Sequence, residues 1–294
     1  MASQWENFRR NLGDWQGSFT NLDSHGHLLD STPSLLSLSS GEEGRLVHFR
    51  LRRYGSAEPG AAPTQESAQD YRTLGRQVVF FANGCFSKGS LQIAPATRFG
   101  AEYGFISGDR RHRLVQLFTA DGAFSSLVLI REVRAGSGAR EGPPLSAAQL
   151  LGSWQGEAAT IEADWPEPTL ANAAIEVDQP DGDGLRIETR LGSGTSVVLG
   201  RRQAERQAEG PEDSGLAAPC YAIDALSGDG ELPGRLLLLP DGGLTLVPLR
   251  ISHRQGFSVE AGWLQSPRRW LRLIRRYGGR GEWLSSTLLI ADRA

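Results

Sequence analysis

Two stretches of this chain are copies of one another, and self-similarity at that scale decides architecture before composition does. The first runs Phe99-Gly-Ala-Glu-Tyr-Gly-Phe-Ile106, then Asp109-Arg-Arg111, Arg113 to Phe118 and Gly122 to Ile130. The second runs Phe257-Ser-Val-Glu-Ala-Gly-Trp-Leu264, then Pro267-Arg-Arg269, Leu271 to Tyr277 and Gly281 to Ile290. Phe99, Glu102, Gly104, Phe105, Arg110 and Arg111 correspond to Phe257, Glu260, Gly262, Trp263, Arg268 and Arg269 at a constant offset of 158. The beginnings match as well: Leu12-Gly-Asp-Trp-Gln-Gly17 and Leu151-Gly-Ser-Trp-Gln-Gly156. Each follows a short helical signal. Ser3 with Glu6, and Ser146 with Gln149, have capping-box spacing, and Gly13 and Gly152 end the segments.

Between these ends the signals are those of strands. Alternation runs through Leu46–Tyr54, Gln77–Phe81, Phe86–Ile93 and Phe99–Ile106 in the first half. In the second half it runs through Ala173–Val177, Leu185–Arg190, Thr195–Leu199, Arg235–Leu239 and Leu244–Ile251. Asn83-Gly84, Asp121-Gly122 and Asp241-Gly242 are hairpin dipeptides. Gly55–Asp70 and Arg201–Pro219 are polar and rich in Gly, Pro and Ala, and read as long loops. The stretch Ala135 to Pro144 has linker composition. The expectation is all-β, with domains over 1–137 and 145–294 and a linker over 138–144. Sheets of ~8–10 antiparallel strands escape exposed edges by closing into barrels, with room inside for side chains or one small ligand.

Composition excludes several classes. A net charge of −3 argues against a general nucleic-acid binder. No apolar run is long enough for a transmembrane helix. Met1-Ala-Ser-Gln-Trp-Glu6 carries no secretory pattern, so a cytoplasmic location is expected. Cys85 and Cys220 stand far apart with no partner motif, as free thiols in a reducing compartment do. No CxxC or HxxxH spacing occurs, which argues against a structural zinc site. Lys88, the sole lysine, leaves Schiff-base chemistry one candidate. Nucleophile-elbow, P-loop and dinucleotide fingerprints are absent.

The segments Gln4-Trp-Glu-Asn-Phe8, Asn11-Leu-Gly-Asp-Trp-Gln-Gly-Ser-Phe-Thr20, Phe99–Ile106, Asp109-Arg-Arg111 and Gly281-Glu-Trp283 resemble a cyanobacterial and plastid family of unknown function with a lipocalin-like fold. The resemblance covers nearly the whole chain. It implies two tandem lipocalin/calycin-like antiparallel β-barrels, each preceded by a short helix, in the cytosol of a phototroph or in a chloroplast stroma. At fold level the barrels are also similar to phycobiliprotein bilin lyases and to haem-binding nitrobindin-type barrels. The lipocalin pattern implies that Trp15 and Trp154 each plug one barrel end beneath an arginine of the last strand, with Arg131, Arg134 and Arg293 as candidates.

Strand alternation puts Phe99, Ala101, Tyr103 and Phe105 on one face and Glu102, between Gly100 and Gly104, on the other. Glu102 and its counterpart Glu260 then either face solvent or pair across a hairpin (Glu102 with Arg110 or Arg113), or they orient a polar group of a ligand in a lumen. Arg268, Arg269, Arg272, Arg275, Arg276 and Arg280, mixed with Trp270 and Tyr277, read either as a solvated face or as a clamp for carboxylate or phosphate. His112 would serve a haem only by facing a lumen, and its counterpart is Trp270. The ligand-binding candidates are therefore Glu102, Tyr103, Arg113, Glu260, Trp263, Trp270, Arg272, Arg275 and Tyr277. The functional expectation is non-enzymatic binding of a hydrophobic or amphipathic small molecule: a bilin, another tetrapyrrole or a lipid. The alternatives are a bilin-lyase-like chromophore chaperone acting with a phycobiliprotein, and a ligand-free interaction module. The more aromatic second copy is the expected pocket.

Overall fold

The computed structural model describes residues 3–56, 61–165, 167–204, 218–226 and 232–294. Helix α1 (Gln4–Arg9) opens the chain, capped reciprocally by Ser3 and Glu6. Nine strands follow: β1 (Gly13–Asp23), β2 (Leu28–Gly41), β3 (Leu46–Tyr54), β4 (Pro63–Tyr71), β5 (Val78–Phe80), β6 (Phe86–Gly89), β7 (Phe99–Ser107), β8 (Arg110–Phe118) and β9 (Phe124–Arg134). Helix α2 (Ala147–Leu150) then leads into ten more. These are β10 (Gly152–Glu162), β11 (Thr169–Asp178), β12 (Gly184–Leu191), β13 (Gly194–Arg202), β14 (Cys220–Leu226), β15 (Leu232–Leu238), β16 (Gly243–Pro248), β17 (Phe257–Ser266), β18 (Arg269–Tyr277) and β19 (Trp283–Arg293).

The fold is all-β, with two barrel-like units. Strands β10 to β19 form a closed barrel, each paired antiparallel with its neighbour and β19 returning to β10. The first sheet has the order β4-β3-β2-β1-β9-β8-β7-β6-β5 and curls without closing. Counting from both ends of each unit, β1–β4 correspond to β10–β13 and β5–β9 to β15–β19. The first unit therefore has no counterpart of β14, the strand that joins β13 to β15. The β5 edge is covered instead by α1. Gln4 donates to and accepts from the Phe80 backbone, at 3.0 and 2.6 Å, and Asn7 donates to the Phe80 carbonyl at 3.2 Å.

Two sequence expectations change here. Gly55–Asp70 is not all loop, because β4 begins at Pro63. As a polar edge strand exposed on both faces it has no hydrophobic period to read. The second predicted loop, Arg201–Pro219, begins inside β13, and its centre lies outside the described residues. The alternation read from the sequence does not reach β1, β2, β10 or β14. The Asp241-Gly242 turn behaves as its dipeptide requires, with φ of 58° and 71°.

The units pack through the outer faces of β7–β9 and β15–β19. Phe99, Ala101, Tyr103 and Phe105 are buried there against Phe257, Val259, Ala261 and Trp263. Rings meet their own counterparts: Phe99 and Phe257 at 5.9 Å between centroids, Phe105 and Trp263 at 6.3 Å. The two copies thus face each other running in the same direction, as a half-turn about an axis along the strands would bring them. Side chains bond across this seam to backbone of the other unit. Tyr103 donates its hydroxyl to the Val259 carbonyl at 2.9 Å, and Gln116 donates to the Glu260 carbonyl at 2.7 Å. The apolar face of the repeated strands therefore belongs to the contact between units, and the face carrying Glu102 and Glu260 belongs to the lumens.

Candidate functional site

At the entrance of each unit the Trp-Gln-Gly motif builds the same module. Trp15 and Trp154 are wholly buried. Each indole N–H donates to the carbonyl four residues back, Asn11 and Leu150, at 2.8 Å in both cases. Arg134 lies 4.5 Å over the Trp15 ring and Arg293 4.2 Å over Trp154. Both guanidiniums also donate to the chain before the strand, at the Leu12 and Leu151 carbonyls. Arg131 goes elsewhere, to Glu141 at 2.8 Å. The glycine closing each motif is required by close approach. A Cβ on Gly17 would stand 1.9 Å from the Arg131 carbonyl oxygen, and one on Gly156 1.9 Å from that of Ile290.

Behind Trp15 the lumen of the first unit carries charge. Glu132 on β9 is fully buried between Arg111, donating through Nε at 2.7 Å, and Arg113, donating at 3.1 and 3.0 Å. Arg113 also donates to Glu102 at 3.0 Å, and Lys88 lies 3.8 Å from the same carboxylate. Burial pushes the Glu132 carboxyl up, but the two guanidiniums outweigh it and hold it down at about 2. Burial opposes the charge on Arg113, yet Glu132 and Glu102 raise its pKa above the ordinary arginine value. Arg111, with one carboxylate and a like-charged neighbour, is lowered by its burial. Its Nη2 is buried and has no hydrogen-bond partner.

The second lumen repeats part of this arrangement. Register pairs Gly104 with Arg113 and Gly262 with Arg272, so Glu102–Arg113 and Glu260–Arg272 are equivalent ion pairs. An irregularity between Leu264 and Ser266 moves the offset from 158 to 159 across this hairpin. Glu260 takes two bonds from Arg272, whose Nη1 donates to Thr189 at 2.5 Å. Where the first unit has Arg111 and Glu132, the second has Trp270 and Ala291. Trp270 packs edge-on against Trp154 at 5.7 Å amid Ile175, Leu236, Leu238 and Leu289. Its indole nitrogen, like Arg111 Nη2, has no partner.

The candidate ligand residues therefore fall in three places. Glu102 and Arg113 line the first lumen, and Glu260, Trp270 and Arg272 the second. Tyr103, Trp263, Arg275 and Tyr277 lie in the seam between units. The arginine run is not one clamp. Arg268, Arg269, Arg276 and Arg280 are exposed, Arg272 points inward, and Arg275 is bound in the seam by Tyr277, Ser87 and Ser286. His112 also points into the seam, stacked on Trp263 at 5.8 Å with Nδ1 3.2 Å from Asp241. It therefore faces no lumen. Among the described residues no group of three or more His, Cys, Asp or Glu is placed to hold a metal ion.

A cavity of about 380 Å³ occupies the open lumen of the first unit. Its walls include Leu36, Leu38, Phe49, Tyr71, Val78, Phe80 and Phe86, and its polar end is Lys88, Glu102, Arg111 and Arg113. The expectation had placed the pocket in residues 145–294. Of the aromatic side chains behind that expectation, Trp263, Tyr277 and Trp283 are spent on the contact between units, and Trp270 lies in the second lumen. Arg111, central to the cavity, was noted only as part of the repeat. The signal that would have singled it out is its replacement by tryptophan in the correctly registered second copy.

The geometry defines a two-unit all-β protein, one sheet curled around an open lumen with a charged cluster and the other closed around a largely apolar lumen that keeps one ion pair. The sequence model of the DUF3598 N-terminal domain, described as a domain of unknown function, matches residues 1–137. That described as the C-terminal domain of "Biogenesis factor required for ATP synthase 1" matches residues 141–208 and 224–294. A DUF3598 protein of unknown function from Nostoc punctiforme PCC 73102 has a crystal structure similar to this chain. It is 35% identical, with 100% of each chain covered and a TM-score of 0.85. The chain belongs to the DUF3598 family. A putative outer membrane protein of Bacteroides fragilis aligns over 98% of this chain and 99% of its own, but at 8% identity and a TM-score of 0.25, too low to argue from. No curated protein matches. No helix among the described residues is long and apolar enough to cross a membrane.

Proposed function

We propose that this protein binds and carries a hydrophobic or amphipathic small molecule without chemically changing it, and that the first unit holds the guest. The observation that carries this reading is the contrast between the two copies. The first sheet stays open around about 380 Å³ with apolar walls and one polar end. The equivalent positions of the second are occupied by Trp270 and its neighbours. Small-molecule sites are of this kind, at ~300–1,000 Å³ with few polar groups. A lipid or a bilin is the class of guest under test. Tryptophan fluorescence of the full chain, with Trp15 beside the lumen, should change on titration with palmitate or biliverdin. Silence from both at tens of micromolar, or about −6 kcal/mol of binding energy, contradicts the reading.

A second reading is favoured by a separate observation. The family that matches residues 141–208 and 224–294 is described as a biogenesis factor required for ATP synthase. On this reading the second unit docks to an assembly partner, and the chain and purified ATP synthase subunits would co-migrate in gel filtration. The chromophore-chaperone alternative requires an acidic group accessible at a lumen. Glu102 is the nearest candidate, at 20% exposure, but Arg113 and Lys88 already engage it.

A further inference from the structure

We infer that the guest of the first lumen is a single-headed amphipathic anion, with its head on Arg111 and its apolar body along Leu36, Leu38, Phe49 and Phe80. This rests on the small-molecule reading above and specifies the chemistry of that site.

The polar end of the cavity leaves one buried donor unmet. Arg111, Arg113 and Lys88 face only two carboxylates, Glu102 and Glu132. Arg113 is fully used, bonded to both carboxylates. Lys88 is half-exposed and bathed by solvent. With Lys88 left to solvent, two guanidiniums face two carboxylates, and what stays unmet is a donor: Arg111 is 2% exposed, lines the cavity and keeps a buried Nη2 without a partner. A buried guanidinium nitrogen left unpaired is costly, and an oxyanion supplies the missing charge-assisted hydrogen bond. Arg111 is also held in place, by Glu132 through Nε and by Trp15, whose ring lies 4.8 Å from its guanidinium carbon. A fixed guanidinium presents its remaining donors in a plane that suits a carboxylate.

The other copy supplies the control. Its lumen keeps a balanced pair, Glu260 with Arg272, and exchanges both Arg111 and Glu132 for uncharged residues. The guanidinium that edges the first cavity is matched there by a buried indole, as expected if only the first unit kept a place for an anionic guest. Arg53, 4.4 Å over the Phe19 ring, does not line the cavity, so its wall offers one unpaired guanidinium donor, on Arg111, and one anionic head meets it, which favours a monocarboxylate over a tetrapyrrole with two propionates.

The test is a headgroup series on the full chain: palmitate, hexadecanol of the same length, and biliverdin, read by displacement of a fluorescent fatty acid. Palmitate should bind at least about tenfold tighter than hexadecanol, the worth of one charge-assisted hydrogen bond. In Arg111→Gln that preference should disappear while hexadecanol changes by less than about twofold. Equal binding of palmitate and hexadecanol overturns the inference and leaves the small-molecule reading standing. So does tighter binding of biliverdin than palmitate, or a palmitate preference that survives Arg111→Gln. No binding of any of the three overturns both. Should Arg111→Gln not fold, the series on the unaltered chain decides alone.

Discussion

Arg111 and Trp270 occupy the same place in the two units. Arg111 stands across from Ile106 and Glu132, and Trp270 across from their counterparts Leu264 and Ala291. At this one position a guanidinium beside a cavity in the first lumen is matched by an indole in the second.

The entrance module should dominate stability in both units. Trp15→Ala and Trp154→Ala each remove a buried indole, its N–H bond and the surface beneath an arginine. Each should cost ~3–5 kcal/mol by chemical denaturation, as large aromatic truncations in cores do. A loss within about ±0.5 kcal/mol, the range of surface substitutions, would contradict that role.

Glu132 should make the first unit acid-sensitive. Its carboxyl titrates at about 2 in the folded chain, against an ordinary value of 4.5. A depressed folded pKa adds stability that is complete above the unfolded value and is lost as pH falls from about 4.5 toward about 2. Urea midpoints should therefore fall across that window. Glu132→Gln, less stable at neutral pH, should show a flatter fall. Identical slopes for the two proteins would remove Glu132 from the account.

Cys85 should be inert in the folded protein. It is fully buried, and burial pushes its thiol up to about 12, so little thiolate forms at neutral pH. An aromatic disulfide reagent should modify it only after denaturation. Modification of Cys85 in native buffer at the rate of a free thiol would show that the seam opens.

The duplication, the capped helices and most strands were legible because each rests on local chemistry: capping boxes, Asx-Gly turns and period-two alternation. The unread β4 has no hydrophobic period, since both its faces meet water. The site was harder for a different reason. Alternation separates Tyr103 from Glu102, but a strand buried on both faces carries no mark of which side is the lumen. Trp263, Arg275 and Tyr277 were attractive as a pocket because they are aromatic and basic, and the seam between two barrels selects the same features. The first sheet stays open and lacks a counterpart of β14, a difference that only the alignment of all strands of both copies reveals.

The central claim is that the open first unit, and not the closed second one, holds the guest. The most direct measurement is a crystal structure of the full chain grown with palmitate brominated at its last carbon, the bromine being located by anomalous scattering. The account predicts a bromine peak among Leu36, Phe49 and Tyr71, with the carboxylate density at Arg111. A peak inside the barrel of residues 152–293, or in the seam beside Trp263, would contradict it.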